Sequence, residues 1–291
     1  MRCPGILGVA GALVVAATLA IGFGGGTAAP LLTPKLADYP EQTPRGSIEV
    51  DVELVLAVDI SYSMDPEELA LQRDGYVQAL QSSEFISAVR EGINGRIAVT
   101  YFEWAGFGIQ HRITPWRLVD GRESAAALAA EITQAPISRG RRTSISGALR
   151  FGSAMFDDTP YRGLRKVIDI SGDGANNEGP LVDQTRDETL AKRITINGLP
   201  VMLNRPSFAT LDVEKLDVYF EECVIGGPGA FVVPVRDKQE FAAAIRKKLL
   251  LEIAAHPPQA RVIPAQAGSP RVSCTIGERM WQERWGREGW R

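Results

Sequence analysis

Between residues 48 and 256 short apolar runs alternate with longer stretches of helical period. Ile48 to Val58 reads as the first strand; its unbroken apolar end, Leu54–Val58, suits a strand covered on both faces. Pro66 to about Arg90 carries Leu69, Leu71, Tyr76, Val77, Leu80, Phe85, Ile86 and Val89 at mostly helical spacing. Before it, Asp65 caps, Pro66 opens the first turn and Glu68 reaches back as in a capping box. Arg96–Ala105 and Gln110–Val119 read as neighbouring strands, with a hairpin turn at Gly106–Gly108. An Ala-rich helix at Arg122–Gln134, a helix at Ser144–Met155, a strand at Lys166–Ser171 and a polar helix at Leu181–Arg193 follow. Ile194–Leu203 is a strand interrupted by Asn197-Gly198, and Asp212–Cys223 a helix stopped at Gly226-Gly227-Pro228-Gly229. Phe231–Val235 is a short strand, and Asp237 caps a last helix to about Ala255, with Glu240 at the capping-box position. This alternation predicts an α/β domain over 48–256: a doubly wound, mainly parallel sheet with helices on both faces. Pro257-Pro258 closes it, and a short C-terminal tail, 257–291, follows.

The N-terminus departs from this pattern. Met1-Arg2 precedes Ile6–Phe23, which is apolar or small throughout, and Thr27-Ala28-Ala29 offers small residues for cleavage. Residues 1–29 therefore read as a secretory signal peptide, with an uncleaved membrane anchor as the alternative. Both predict an exported protein, periplasmic or extracellular. Residues 30–47, rich in Pro and Thr, read as a linker. Beyond Cys3 only Cys223 and Cys274 remain; export permits them to pair and tie the tail to the domain, and two separate buried thiols are the alternative. The tail holds three of the five Trp and a net charge of 6 − 3 = +3, with Trp281 and Trp285 on one helix face. Docking on the domain, disorder, membrane contact and partner binding all fit it, the first two best. Membrane contact is expected only through an uncleaved N-terminus or this tail.

Candidate chemistry collects at the end of the first strand, where Asp59, Ser61 and Ser63 stand at alternate positions before the helix start. Thr143 lies where the loop Ser138–Arg142 meets a helix, and Asp173 just past the strand Lys166–Ser171. Loops at the carboxyl ends of neighbouring strands converge in such a sheet. All five are hard oxygen donors, which suit Mg²⁺, Mn²⁺ or Ca²⁺ rather than Zn²⁺ or copper. Hydroxyls competing to cap a helix are the other reading of Ser61 and Ser63. A net charge of −3 and the lack of a basic run argue against nucleic-acid binding. No phosphate loop, GxSxG elbow, HExxH or CxxC occurs, and neither His111 nor His256 has a nucleophile near it in sequence.

DISYS, the Thr143 of RGRRTSISGAL and the Asp173 of ISGDG resemble, in chain order, the metal-ion-dependent adhesion site of the von Willebrand factor type A domain. The resemblance spans 48–256 and is most like a bacterial exported group without assigned function. It implies that Ser61 and Ser63 coordinate the metal directly, Thr143 directly or through water, and that Asp59 and Asp173 hold bound waters and balance charge. One position is left for an acidic side chain of a partner protein, with Mg²⁺ the expected ion and Mn²⁺ or Ca²⁺ as alternatives. Gly172 stands where many such domains carry Thr. Asp169, inside the strand, is either a group behind the site or the structural partner of Arg165 or Lys166. Asn176, Asn177 and Glu178 either line the ligand surface or serve the turn, and Arg139, Arg141 and Arg142 either guide an anionic partner or are solvated. The expected activity is divalent-cation-dependent protein binding, with no enzymatic role. A metal-dependent phosphate-ester hydrolase and an envelope scaffold with a structural metal are the rivals.

Overall fold

The computed structural model describes residues 47–203, 213–254 and 271–285. The predicted signal peptide, the linker to residue 46, His256 and both ends of the tail lie outside them. Five strands form one sheet: β1 (Ile48–Asp59), β2 (Ile97–Trp104), β3 (Gln110–Val119), β4 (Tyr161–Gly172) and β5 (Ile194–Pro200), in the order β3-β2-β1-β4-β5. β1 pairs parallel with both β2 and β4, β4 pairs parallel with β5, and only β3, joined to β2 by a hairpin, is antiparallel. The chain therefore leaves β1 toward opposite sides of the sheet, and the crevice at that switch lies over the carboxyl ends of β1 and β4.

Helices α1 (Pro66–Gln81), α2 (Ser83–Arg90), α3 (Arg122–Gln134) and α7 (Phe241–Ile253) cover one face, burying Tyr76, Leu80, Leu128 and Leu249 against Leu54, Leu56 and Val58. On the other face lie α4 (Ile145–Met155), α5 (Val182–Ala191), α6 (Leu216–Tyr219) and, from the tail, α8 (Ile276–Trp285), packed around Val55, Ala57, Ile168 and Ile170. The doubly wound α/β prediction holds, and α3 has the predicted bounds. The capping box closes, with Glu68 N–H donating to Asp65 Oδ1 and Asp65 N–H to Glu68 Oε2, both at 2.8 Å.

Three elements differ from their expected form. The single helix over 66–90 is two, because Ser82 ends α1 with its hydroxyl on the Ala79 carbonyl at 2.8 Å and starts α2 by accepting from Phe85 N–H at 3.2 Å. Phe231–Val235 makes isolated bridges, Val232 to Gly198 in β5 and Val235 to Val201 just past it, but no continuous ladder; Pro234 between them has no N–H to give. The helix before the glycines widens into a π turn at Phe220–Val224, which buries Cys223 fully.

Buried charge is concentrated under α7. Lys248 Nζ lies 2.9 Å from Asp169 Oδ1 and 2.7 Å from Glu252 Oε1, and Asn197 Nδ2 donates to Glu252 Oε2 at 2.6 Å. The partner of Asp169 is thus Lys248, not Arg165 or Lys166. Arg165 instead donates to the carbonyls of Glu252 and Ala254 at 2.8 and 3.2 Å, and Lys166 lies 5.8 Å over the Phe156 ring. Burial, and then the neighbouring Asp169 charge, pushes the Glu252 carboxyl up to about 7 against the pull of Lys248. Burial lowers Lys248, but Asp169 and Glu252 outweigh it and raise the ammonium above its usual range.

Candidate metal centre

Val58 pairs with Ser171, so Asp59 ends β1 level with Gly172 at the end of β4. Asp59 is fully buried. Its Oδ1 accepts the Ser61 N–H at 2.7 Å, which is the local reason the chain turns here. The Ser61 hydroxyl and the Asp173 backbone also hydrogen-bond this carboxyl, so its partners are uncharged. Burial pushes this carboxyl up to about 7 against the pull of the Ser61 N–H. The Ser61 and Ser63 hydroxyl oxygens are 2.7 Å apart, and Ser63 donates to Asp173 Oδ1 at 2.6 Å. Because Ser63 gives its one proton to Asp173, Ser61 is the donor between the serines.

Thr143 arrives from the third loop. Tyr62 N–H donates to the Gly140 carbonyl at 2.9 Å and Gly140 N–H to the Ile60 carbonyl at 3.0 Å, tying this loop to the strand end. Thr143 is 5% exposed. Its N–H donates to Asn177 Oδ1 at 3.1 Å, and its carbonyl accepts the Asn177 N–H at 2.9 Å. A Cβ on Gly174 would lie 3.7 Å from Thr143 Oγ1, so the hydroxyl faces the turn that carries Asp173. Hydrogen bonds thus join Asp59, Ser61, Ser63 and Asp173, and loop contacts bring Thr143 against them.

The residues singled out around this core have other work. Asp169 belongs to the Lys248 network. Asn176 and Asn177 do not form a ligand surface. Asn176 Oδ1 accepts from Ser146 N–H at 3.0 Å, its Nδ2 reaches Pro180 O at 3.2 Å and Glu278 Oε1 at 2.8 Å, and Asn177 is committed to Thr143. Nor is Arg142 a free cation for steering. Its backbone is left-handed at φ 70°, its guanidinium donates to the Asn177 carbonyl, and Trp281 stacks 3.5 Å from it. Arg139 donates to the carbonyls of Tyr62, at 3.0 Å, and Met64, and only Arg141 of the three stays exposed. Glu178 accepts from Phe107 N–H at 2.8 Å.

Several supports were not read from the sequence. Gln72 Nε2 donates to the Asp59 carbonyl at 3.0 Å. Arg73 pairs with Glu103 and donates to the carbonyls of Ala135 and Pro136 at 2.6 and 3.2 Å, fixing the start of the Thr143 loop. Polar residues on the buried stripe of α1, next to Leu69 and Tyr76, were the available signal. The tail is joined to the domain by a Cys223–Cys274 disulfide.

The donor set fits a hard divalent ion. Among the described residues no three His, Cys, Asp or Glu side chains converge as metal ligands, so hydroxyls dominate. The carboxyl groups of Asp59 and Asp173 would balance the charge of such an ion.

The sheet order and two helix layers are those of a von Willebrand factor type A domain. Proximal thread matrix protein 1 from the mussel byssus superposes with a TM-score of 0.53 at 13% identity, covering 71% of this chain and 49% of that one. The pilus adhesin SpaC from Lactobacillus rhamnosus GG does so at 0.50 and 13%, covering 70% of this chain and 31% of that one. This chain therefore spans half or less of these proteins, and the likeness establishes the fold. No curated protein matches it in sequence. Residues 49–257 match the family described as "Protein of unknown function (DUF1194)", and the chain belongs to that family.

Proposed function

We propose that this is an exported binding module that holds Mg²⁺ on Ser61, Ser63 and Thr143, with Asp59 and Asp173 retaining water, and uses it to grip an acidic side chain of another protein. The observation that carries this reading is the fully buried Asp59, whose partners are the uncharged Ser61 and Asp173 donors rather than a cation, beside two hydroxyl oxygens 2.7 Å apart. A buried carboxylate without a compensating cation costs several kcal/mol, and a divalent ion at the serines supplies one. Such an ion acts as a Lewis acid toward an incoming carboxylate. Neutral hydroxyls quench its charge less than carboxylate ligands would, so that carboxylate gains more by binding.

The chain's own residues do the rest. Ser63 sends its proton to Asp173 and Ser61 its own to Ser63, which leaves both lone pairs of Ser61 and one of Ser63 for the ion. The disulfide fits an oxidising compartment and so supports export. No helix among the described residues is long and apolar enough to cross a membrane. The mussel and pilus proteins, a thread matrix protein and an adhesin by name, are in keeping with a binding role. A hydrolase is not favoured, since the one described histidine, His111, is exposed on the edge strand β3.

Thermal unfolding of the full-length protein with EDTA and with Mg²⁺, beside Ser61→Ala, tests the proposal. Metal at about a hundred times its Kd adds roughly 2.7 kcal/mol, a rise of roughly 5–10 °C for a domain of this size. Ser61→Ala should abolish the rise. No rise with Mg²⁺, Mn²⁺ or Ca²⁺, or a rise that survives Ser61→Ala, refutes the site.

A further inference from the structure

We infer that α8, beyond the 49–257 family region, is a positioning element of the metal centre that holds Thr143 in its ligand-facing setting. The inference rests on the proposed metal site for its consequence, and on contacts of this chain for its geometry. Thr143 has both backbone groups bonded to Asn177, so its position follows the 176–178 loop. α8 is seated on that loop. A Cβ on Gly277 would lie 2.1 Å from the Asn176 carbonyl oxygen, so the helix backbone meets the loop backbone with no room for any side chain. One residue further, Glu278 Oε1 takes the Asn176 amide at 2.8 Å.

The second hold is on the residue before Thr143. Arg142 keeps a left-handed backbone at φ 70°, a conformation that non-glycine residues retain only when their surroundings fix it. Its guanidinium is fixed at both ends of that problem: it donates to the Asn177 carbonyl and lies 3.5 Å from the Trp281 ring centroid. Gly277, Glu278 and Trp281 therefore meet Asn176 and Arg142, the neighbours that carry Thr143. A helix that merely covered apolar surface would not need to meet those residues. α8 is itself anchored just upstream by the Cys223–Cys274 disulfide and by Arg271 on Glu222 and Glu221 at 2.5 and 3.2 Å.

The test uses the full-length protein with Gly277→Ala, Trp281→Ala and Trp281→Tyr, reading amide hydrogen exchange and Mn²⁺ affinity. Exchange at Thr143 and Asn177 should rise several-fold in the first two variants, with the amides of β1 and β4 unchanged. Mn²⁺ affinity should fall roughly threefold to tenfold with loss of the cation–π contact and recover in Trp281→Tyr, which keeps a ring. Protection at Thr143 and Asn177 equal to wild type overturns the inference, as does acceleration spread evenly over β1 and β4, which would signal general unfolding. If wild type takes up no Mn²⁺, the metal reading fails, and amide exchange alone still decides whether α8 positions Thr143.

Discussion

Replacing Lys248 with methionine keeps much of the side-chain volume and removes the cation from two buried carboxylates. The Lys248, Asp169 and Glu252 side chains are 1%, 0% and 0% exposed, with contacts of 2.9 and 2.7 Å. Removing one partner of a buried pair costs about 3–5 kcal/mol. Two carboxylates share this ammonium, which places Lys248→Met toward the upper end. At about 2–4 °C per kcal/mol for a domain of this size, Tm should fall by roughly 10–20 °C. The loss should also depend on pH. Asp169, Asn197, Lys248 and the Tyr76 hydroxyl face Glu252 or its partner, and Arg165 lies near its backbone. The folded Glu252 carboxyl is at about 7, above its ordinary 4.5. Between those values the native state holds more protons than the unfolded chain, so this group's contribution is fully present below about pH 4.5 and is lost as pH rises through about 7. Without Lys248 both carboxyls rise further, so the gap between variant and wild type should widen from about pH 5 to about pH 8. Glu252→Gln should flatten the wild-type slope over the same window. Urea unfolding followed by circular dichroism reads all of this. A loss under roughly 1 kcal/mol at about pH 8, or equal losses at both pH values, would show that the triad is not the charge-compensating unit described.

Two further outcomes follow from the fold. Cys274→Ser opens a link between residues 51 apart in sequence, and chain entropy puts the loss near 4 kcal/mol. Urea midpoints of the variant and of reduced wild type should agree, and a change under roughly 1 kcal/mol would contradict the entropy argument. Gly172→Thr installs the residue common in related domains, but its Cβ would lie 3.1 Å from Asp59 Oδ2 and 3.3 Å from the Trp104 ring. It should cost about 1–3 kcal/mol by overpacking, and Trp104→Leu should recover part of that in a double-mutant cycle. Strict additivity of the two changes would refute the contact.

What could be read from the sequence was local. β1 announces itself because Leu54–Val58 is apolar on both faces, and α1 because Asp65, Pro66 and Glu68 are chemical signals within one turn. The break at Ser82 was hidden, since apolar spacing continues across it and one serine hydroxyl decides it. β4 begins at Tyr161, earlier than its apolar run, because Arg162–Arg165 pairs with β1 while half-exposed. Tertiary partnerships left weaker marks. Lys248 and Glu252 look like ordinary polar positions in FAAAIRKKLLLEI, yet Lys248 adjoins Leu249 on the buried stripe with Ile245. That placement was the available sign that a buried acid lay opposite. The five oxygen donors were readable because each sits beside a strand end or helix start. Asn177 could be singled out in its loop but not its bonds to Thr143, and Gln72 and Trp281 showed nothing of what they face.

The sheet handles two buried aspartates differently. Asp169, inside β4, has Lys248 at 2.9 Å from its own chain. Asp59, at the end of β1, is equally buried, yet its partners are the uncharged Ser61 and Asp173 donors rather than a cation. Folding alone has little reason to keep such an acid, because an asparagine could accept the Ser61 N–H at Oδ1 without the charge. An acid is useful there if its compensating charge comes from outside the chain. The groups that meet Asp59 are the Ser61 and Asp173 donors, with Gly172 and the Trp104 ring beside them. Under the proposed function the crevice end of the sheet takes its positive charge from a bound ion, while the helix-covered middle supplies its own. On this reading Asp59→Asn should leave the protein at least as stable as wild type in EDTA and remove the gain from Mg²⁺. A variant clearly less stable in EDTA would mean that Asp59 serves the fold rather than the ion.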